Sequence, residues 1–124
     1  MSGTRIFIDT NILIALQQGN ENALKIVSGK DIIISEITQI EMLSFPSITP
    51  KVDKLLREML SELIIFSIND PIKEITINLR RKYPKIKLPD ALILATAIYL
   101  DMEFISADIG FSIIKDASIV IAEL

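Results

Sequence analysis

Five short runs dense in isoleucine, valine and phenylalanine punctuate the chain: residues 5–8 (RIFI), 32–35 (IIIS), 64–68 (IIFSI), 103–106 (EFIS) and 118–121 (SIVI). Antiparallel neighbours need only a tight turn between them, whereas parallel neighbours need a crossover of a dozen or more residues. The intervals here are long, and most carry helix punctuation. Residues 11–17 and 20–28 read as short helices stopped by Gly19 and Gly29, and 36–45 as a third. Thr49-Pro50 opens a fourth through about Glu62, Asp70-Pro71 a fifth that runs to Tyr83-Pro84, and Leu88-Pro89 a sixth that runs to about Leu100. Strands alternating with helices predict an α/β fold: one domain with a mostly parallel central sheet of about five strands and helices on both faces.

What such a domain can do is narrowed by what it lacks. The 124 residues contain no cysteine and no histidine. Disulfides, thiolate or imidazole metal sites, thiol nucleophiles and imidazole bases are therefore excluded. Chemistry has to run on carboxylates, hydroxyls, amides or lysines. The net charge of -3 argues against broad basic coverage of the surface and leaves a local patch as the only route to nucleic acid. Asp9, Thr10 and Asn11 interrupt the first apolar run, so no signal peptide is expected, and no apolar run approaches the ~20 residues of a spanning helix. The expectation is a cytoplasmic protein with no membrane partner.

Four acids stand where acids are out of place. Asp9 directly follows the first strand, and Asp108 follows the fourth in the turn SADIGF. Glu41 sits in ISEITQIEMLSF one turn after Ile37 and one before Phe45, on the stripe that wants burial. Asp90 is the only charge in LPDALILATAIYL, a stretch apolar enough for a central buried helix. If the sheet is parallel, all four reach the carboxyl edge of its strands, where open α/β folds place their sites. Taken singly, each has a plainer explanation: Asp9 as a helix cap, Asp90 as a charge favoured by the helix dipole, Asp108 as a turn residue. Glu41 has no such explanation, and the joint placement is what points to a site. Two like charges about 4 Å apart cost on the order of 4 kcal/mol at an effective dielectric of 20. Such a cluster must therefore take up protons or cations, and oxygen ligands alone select Mg2+ or Mn2+, one ion or two.

FIDTNILIAL, ISEITQIEML, LPDALILATA and FISADIGF, in this order and spacing, resemble the PIN domain family, and within it the VapC-like ribonuclease toxins of prokaryotic toxin–antitoxin pairs. The resemblance covers residues 1–124. It implies that Asp9, Glu41, Asp90 and Asp108 are the metal-binding catalytic acids, with Asn11 and Ser106, and to a lesser degree Thr10, as polar neighbours that orient them. It implies metal-dependent hydrolysis of RNA phosphodiester bonds, a homodimer, and an antitoxin whose C-terminal segment covers the site. Many relatives carry a further acid two positions after the fourth, where this chain has Gly110. The candidate RNA footprint is RRKYPKIK, with Arg80, Arg81, Lys82, Lys85 and Lys87, although the same cations also suit a solvated helix end. Tyr83 in that run serves packing or stacks on a base.

Two other readings stay open on the sequence. A haloacid dehalogenase-type phosphatase also places an aspartate after its first strand, but it wants a second Asp two residues on, where this chain has Asn11. An inactive PIN-like binding module would keep the fold and lose the chemistry.

Overall fold

The computed structural model describes residues 4–124 and holds five strands and six α-helices, in the order β1 (Arg5–Ile8), α1 (Thr10–Gln17), α2 (Glu21–Val27), β2 (Asp31–Ser35), α3 (Glu36–Leu43), α4 (Pro50–Ser61), β3 (Ile64–Phe66), α5 (Asp70–Lys82), α6 (Leu88–Tyr99), β4 (Phe104–Ser106) and β5 (Ile119–Ile121). Every strand pair is parallel, and the order across the sheet is β3-β2-β1-β4-β5. The fold is the α/β architecture expected, with a sheet that is wholly rather than mostly parallel.

Side chains alternate across the strands and so divide the core in two. Phe7, Ile33 and Phe104 face α5 and α6, where they meet Ile72, Leu79, Ile93 and Leu94. Ile6, Ile8, Ile34 and Ile105 face the other way, onto Ile12 and Leu13 of α1 and Leu56 and Leu60 of α4. The central helix α6 is apolar on every side along its middle because it is buried there: Ala91 and Ile93 through Ala97 are inaccessible. Its Thr96 hydroxyl, like that of Thr76 in α5, is satisfied by the carbonyl one turn earlier, at 2.8 Å in both cases. Among the described residues no helix is long and apolar enough to cross a membrane.

Three local details differ from the expectation. The third strand stops at Phe66, because β2 ends at Ser35; beyond it the Ile68 N–H turns to the Glu36 carboxylate instead of a strand carbonyl. The third helix stops at Leu43, so Phe45 lies past its end and is exposed; Pro46 keeps the residue before it out of helical geometry. A short 3-10 helix, Ile109–Ile113, follows β4 where no element was expected. It begins when the Asp108 carboxylate accepts the Gly110 N–H at 2.8 Å, and it is pinned by Phe111, whose ring meets Phe104 edge-on at 4.9 Å.

The strand order places the site. From β1 the chain winds outward through β2 to β3, then returns across the sheet to lay down β4 and β5 on the other side. Connections leave β1 and β4 in opposite directions, and a crevice opens between their carboxyl ends. Asp9 stands at one side of it and Ser106, Ala107 and Asp108 at the other.

Candidate functional site

Asp9 is delivered by a strand that cannot shift. Phe7 and Ile8 are inaccessible and register on Phe104 and Ile105, and the Asp9 N–H continues the ladder by donating to the Ile105 carbonyl at 2.9 Å. The residue is also the N-cap of α1: Oδ1 accepts the Thr10 N–H at 2.8 Å. Capping and site membership turn out to be compatible, because the cap uses one carboxylate oxygen. The other, Oδ2, accepts from the Ser106 hydroxyl at 2.7 Å and from Asn11 Nδ2 at 3.3 Å.

Ser106 and Asn11 form the bridge across the crevice. The single Ser106 proton goes to Asp9, while its oxygen accepts from Asn11 Nδ2 at 3.2 Å and from the Asp108 N–H at 3.0 Å. That hydroxyl is saturated. Asn11 Oδ1 accepts the Ala107 N–H at 3.0 Å, which fixes both the amide's orientation and the start of the segment that carries Asp108. One buried serine thus ties two acids of the cluster together.

Glu41 is held from the other flank. Its Oε1 accepts from the Thr10 hydroxyl at 2.7 Å, and Thr10 Oγ1 lies 3.0 Å from Thr38 Oγ1. Since a hydroxyl has one proton and Thr10 spends it on Glu41, Thr38 donates to Thr10. Thr38 is inaccessible and lies one turn before Glu41 on the same face of α3. Sequence reading missed it; the spacing of three from Glu41 on a helix was the available signal.

Asp90 sits in the first turn of α6, half-buried, behind Pro89 and an N-cap residue, Lys87, that makes no side-chain cap. Asp108 is exposed at the start of the 3-10 helix. The charges of these acids act on one another. Burial chiefly, opposed by the hydrogen bonds from Ser106 and Thr10 and reinforced by the charges of Asp90 and Glu41, pushes the Asp9 carboxyl from its ordinary 3.8 up to about 6. Burial first, then the charges of Asp108 and Glu41, hold Asp90 above the usual carboxylate range against an opposing pull from Lys87. Asp9 and Asp90 each feel Glu41, Asp9 feels Asp90 and Asp90 feels Asp108, so the four acids are electrostatically linked at the switch-point crevice.

The donor set suits a hard divalent cation: it is all oxygen, and its members destabilise one another's charge in a way that a cation would reverse. Among the described residues no group of three or more acids is arranged so that it could hold a metal ion as it stands. Mg2+ commonly takes only one or two carboxylates and completes its shell with water and phosphate oxygens.

The basic run divides. Lys85 and Lys87 line a cavity of about 280 Å³ that also borders Asp90 and Asp108. Lys82 is instead engaged by Asp116 at 2.8 Å, and Arg80 Nε reaches the Ile86 carbonyl at 3.5 Å. Neither they nor Arg81 line that cavity. Tyr83 packs against the core, and its hydroxyl accepts the Lys115 N–H at 3.1 Å.

The model of the PIN domain family matches residues 6–117. Among solved structures, a chain of a toxin–antitoxin complex from Klebsiella pneumoniae is 33% identical, with 93% of this chain and 95% of that one covered and a TM-score of 0.77. VapBC2 from Rickettsia felis, bound to a DNA fragment from its promoter, matches at 21% identity over 97% of this chain and 100% of that one, TM-score 0.76. VapBC-1 from nontypeable Haemophilus influenzae matches at 20% identity over 94% and 97%, TM-score 0.78. The last two likenesses attest the fold alone. No curated protein matches the chain.

Proposed function

Since this chain belongs to the PIN domain family, we propose that it is a Mg2+- or Mn2+-dependent ribonuclease that hydrolyses RNA phosphodiester bonds, the toxin of a VapBC-type pair. The observation that carries the reading is the electrostatic linkage of Asp9, Glu41, Asp90 and Asp108, gathered from four separate segments at the crevice between β1 and β4.

Asp9, Glu41, Asp90 and Asp108 are the residues that would hold the ion or ions. A bound divalent ion supplies Lewis-acid activation of water and neutralises charge on the phosphate. Ser106 and Asn11 fix the Asp9 carboxylate, and Thr38 through Thr10 fixes that of Glu41, so that neither has to be ordered when substrate arrives. A carboxylate oxygen of the cluster left unengaged would accept the proton of the attacking water. Lys85 and Lys87, at the mouth beside Asp90, offset the repulsion between an acidic edge and a polyanion. Asn11, held by Ser106 and the Ala107 N–H, offers no acid or base at the position a haloacid dehalogenase-type phosphatase needs one.

The likeness to a chain of a toxin–antitoxin complex supports an antitoxin as partner. An antitoxin arginine would neutralise the same charge that the ions balance. The family reading carries a homodimer with it, and the substrate class makes the cytoplasm the compartment of action.

The test is cleavage of a 5′-labelled structured RNA with Mg2+ or Mn2+, beside an EDTA control and the Asp90→Asn and Asp9→Asn variants. Metal-dependent cuts absent from all three controls are expected. Normal cleavage by either variant overturns the assignment of the acids. Absence of cleavage together with absence of Mn2+ binding by calorimetry leaves the inactive binding module.

A further inference from the structure

The acid cluster accounts for one wall of the 280 Å³ cavity and leaves the rest unexplained. Its other walls are apolar and aromatic: Tyr83, Ile86 and Ile113 at the sides, Phe111 and Ile114 beneath. Phe111 and Ile114 are buried, so the floor is part of the core, whereas Ile113 stands 61% exposed at the rim.

Its dimensions and borders limit the occupant. About 280 Å³ lies at the foot of the roughly 300–1,000 Å³ range of ligand clefts, which suits one flat heterocycle. Tyr83 is not free to swing, because the Lys115 N–H binds its hydroxyl and the Lys82 ammonium stands 5.7 Å from its ring centroid. Tyr83 therefore gives the cavity a fixed aromatic wall. Lys85 and Lys87 border the same space, and Asp90 and Asp108 border it on the side of the cluster. Gly110 lines the mouth, and a Cβ there would come to 3.0 Å from Asp108 Oδ1, so a side chain at 110 would press on the acid and narrow the entrance.

The geometry points to this cavity as the seat of one unstacked base of a single-stranded RNA, next to the phosphate that lies at the acid edge, with Tyr83, Ile86 and Ile113 enclosing the base and Lys85 and Lys87 binding its backbone. The assignment rests on the nuclease reading for what happens at the neighbouring phosphate. It adds that the nucleotide seated among Tyr83, Ile86 and Ile113 is a determinant of where the chain cuts.

Methyl NMR on the full-length Asp9→Asn protein, with Mg2+ present, tests the assignment. Short homopolymeric strands of adenosine, cytidine or uridine are added, with their duplex and ribose 5-phosphate as comparisons. The single strands are expected to shift the δ1 methyls of Ile86, Ile113 and Ile114; ribose 5-phosphate, which has no base, and the duplex are not. Ile113→Glu, at an exposed position where the fold tolerates it, is expected to weaken single-strand binding on the order of tenfold or more. Unshifted methyls, no strand binding, equal shifts from ribose 5-phosphate, or unchanged affinity in Ile113→Glu overturn the assignment. RNA cleavage by the wild-type protein is measured alongside. Normal cleavage with an unresponsive cavity removes the base seat and leaves the nuclease. Cavity responses as expected without any cleavage support the base seat and remove the nuclease.

Discussion

The Asp9 carboxyl is the most burdened group in the molecule. It is 4% exposed and carries a pKa of about 6 in the fold against 3.8 in its ordinary state. Between those values the folded chain binds more protons than the unfolded one, so stability falls as pH rises from about 4 to about 6 and stays low above that. The displacement is worth on the order of 3 kcal/mol. Urea unfolding in EDTA should show that loss, and Asp9→Asn should reduce the slope to the part contributed by Asp90, whose carboxyl is also held above its ordinary value. Equal slopes in the two would mean that Asp9 is ionised throughout. Ser106 holds the same carboxylate by its only proton. Ser106→Ala is expected to lower kcat/KM for RNA by about 10- to 100-fold with the fold intact, while Ser106→Thr keeps the hydroxyl and most of the activity. Comparable losses in both variants would assign the effect to packing.

Individual elements position the acids through contacts remote from them. The 3-10 helix that begins at Asp108 is tied down by Phe111, which is buried edge-on against Phe104. Phe111→Ala should cost about 3–5 kcal/mol, read from the urea midpoint, and should lower cleavage further under conditions where the variant is still folded, because Asp108 loses its anchor. Unimpaired cleavage in the folded variant would show that Ser106 and Asn11 suffice to place the segment. The same segment marks where reading the sequence stopped short. SADIGF is legible as a turn through Asp108, whose side chain accepts the Gly110 N–H two residues on, but what holds it as a helix is the Phe111 ring packed on Phe104 of β4, which local pattern does not disclose. By contrast Pro50, Pro71 and Pro89 announced three helix starts correctly, because a fixed φ and a missing N–H act locally.

The molecule as a whole works as a charge balance held by a rigid sheet. Anything that binds the folded crevice and not the unfolded chain stabilises the fold, by about 2.7 kcal/mol at 100 times its Kd. Mn2+ should therefore raise the thermal midpoint of the wild-type protein and leave Asp90→Asn nearly unmoved. No rise in either would mean that the acids hold no ion. The alternation of isoleucine-rich strands with proline-opened helices dictated an α/β sheet, since hydrophobic period and backbone stereochemistry are properties of neighbouring residues. So were the acids at strand ends, which the sequence displays as polar residues cutting off apolar runs. Whether those acids meet depends on strand order, and β3-β2-β1-β4-β5 is a property of packing across the whole sheet. The Thr38–Thr10–Glu41 chain, Ser106 as the clasp between Asp9 and Asp108, and the cavity beside Tyr83 likewise exist only once α1, α3, α6 and β4 are docked. Hydrogen bonds between residues 28 or 97 positions apart leave no periodic trace in a chain, because their geometry is fixed by the core that separates them.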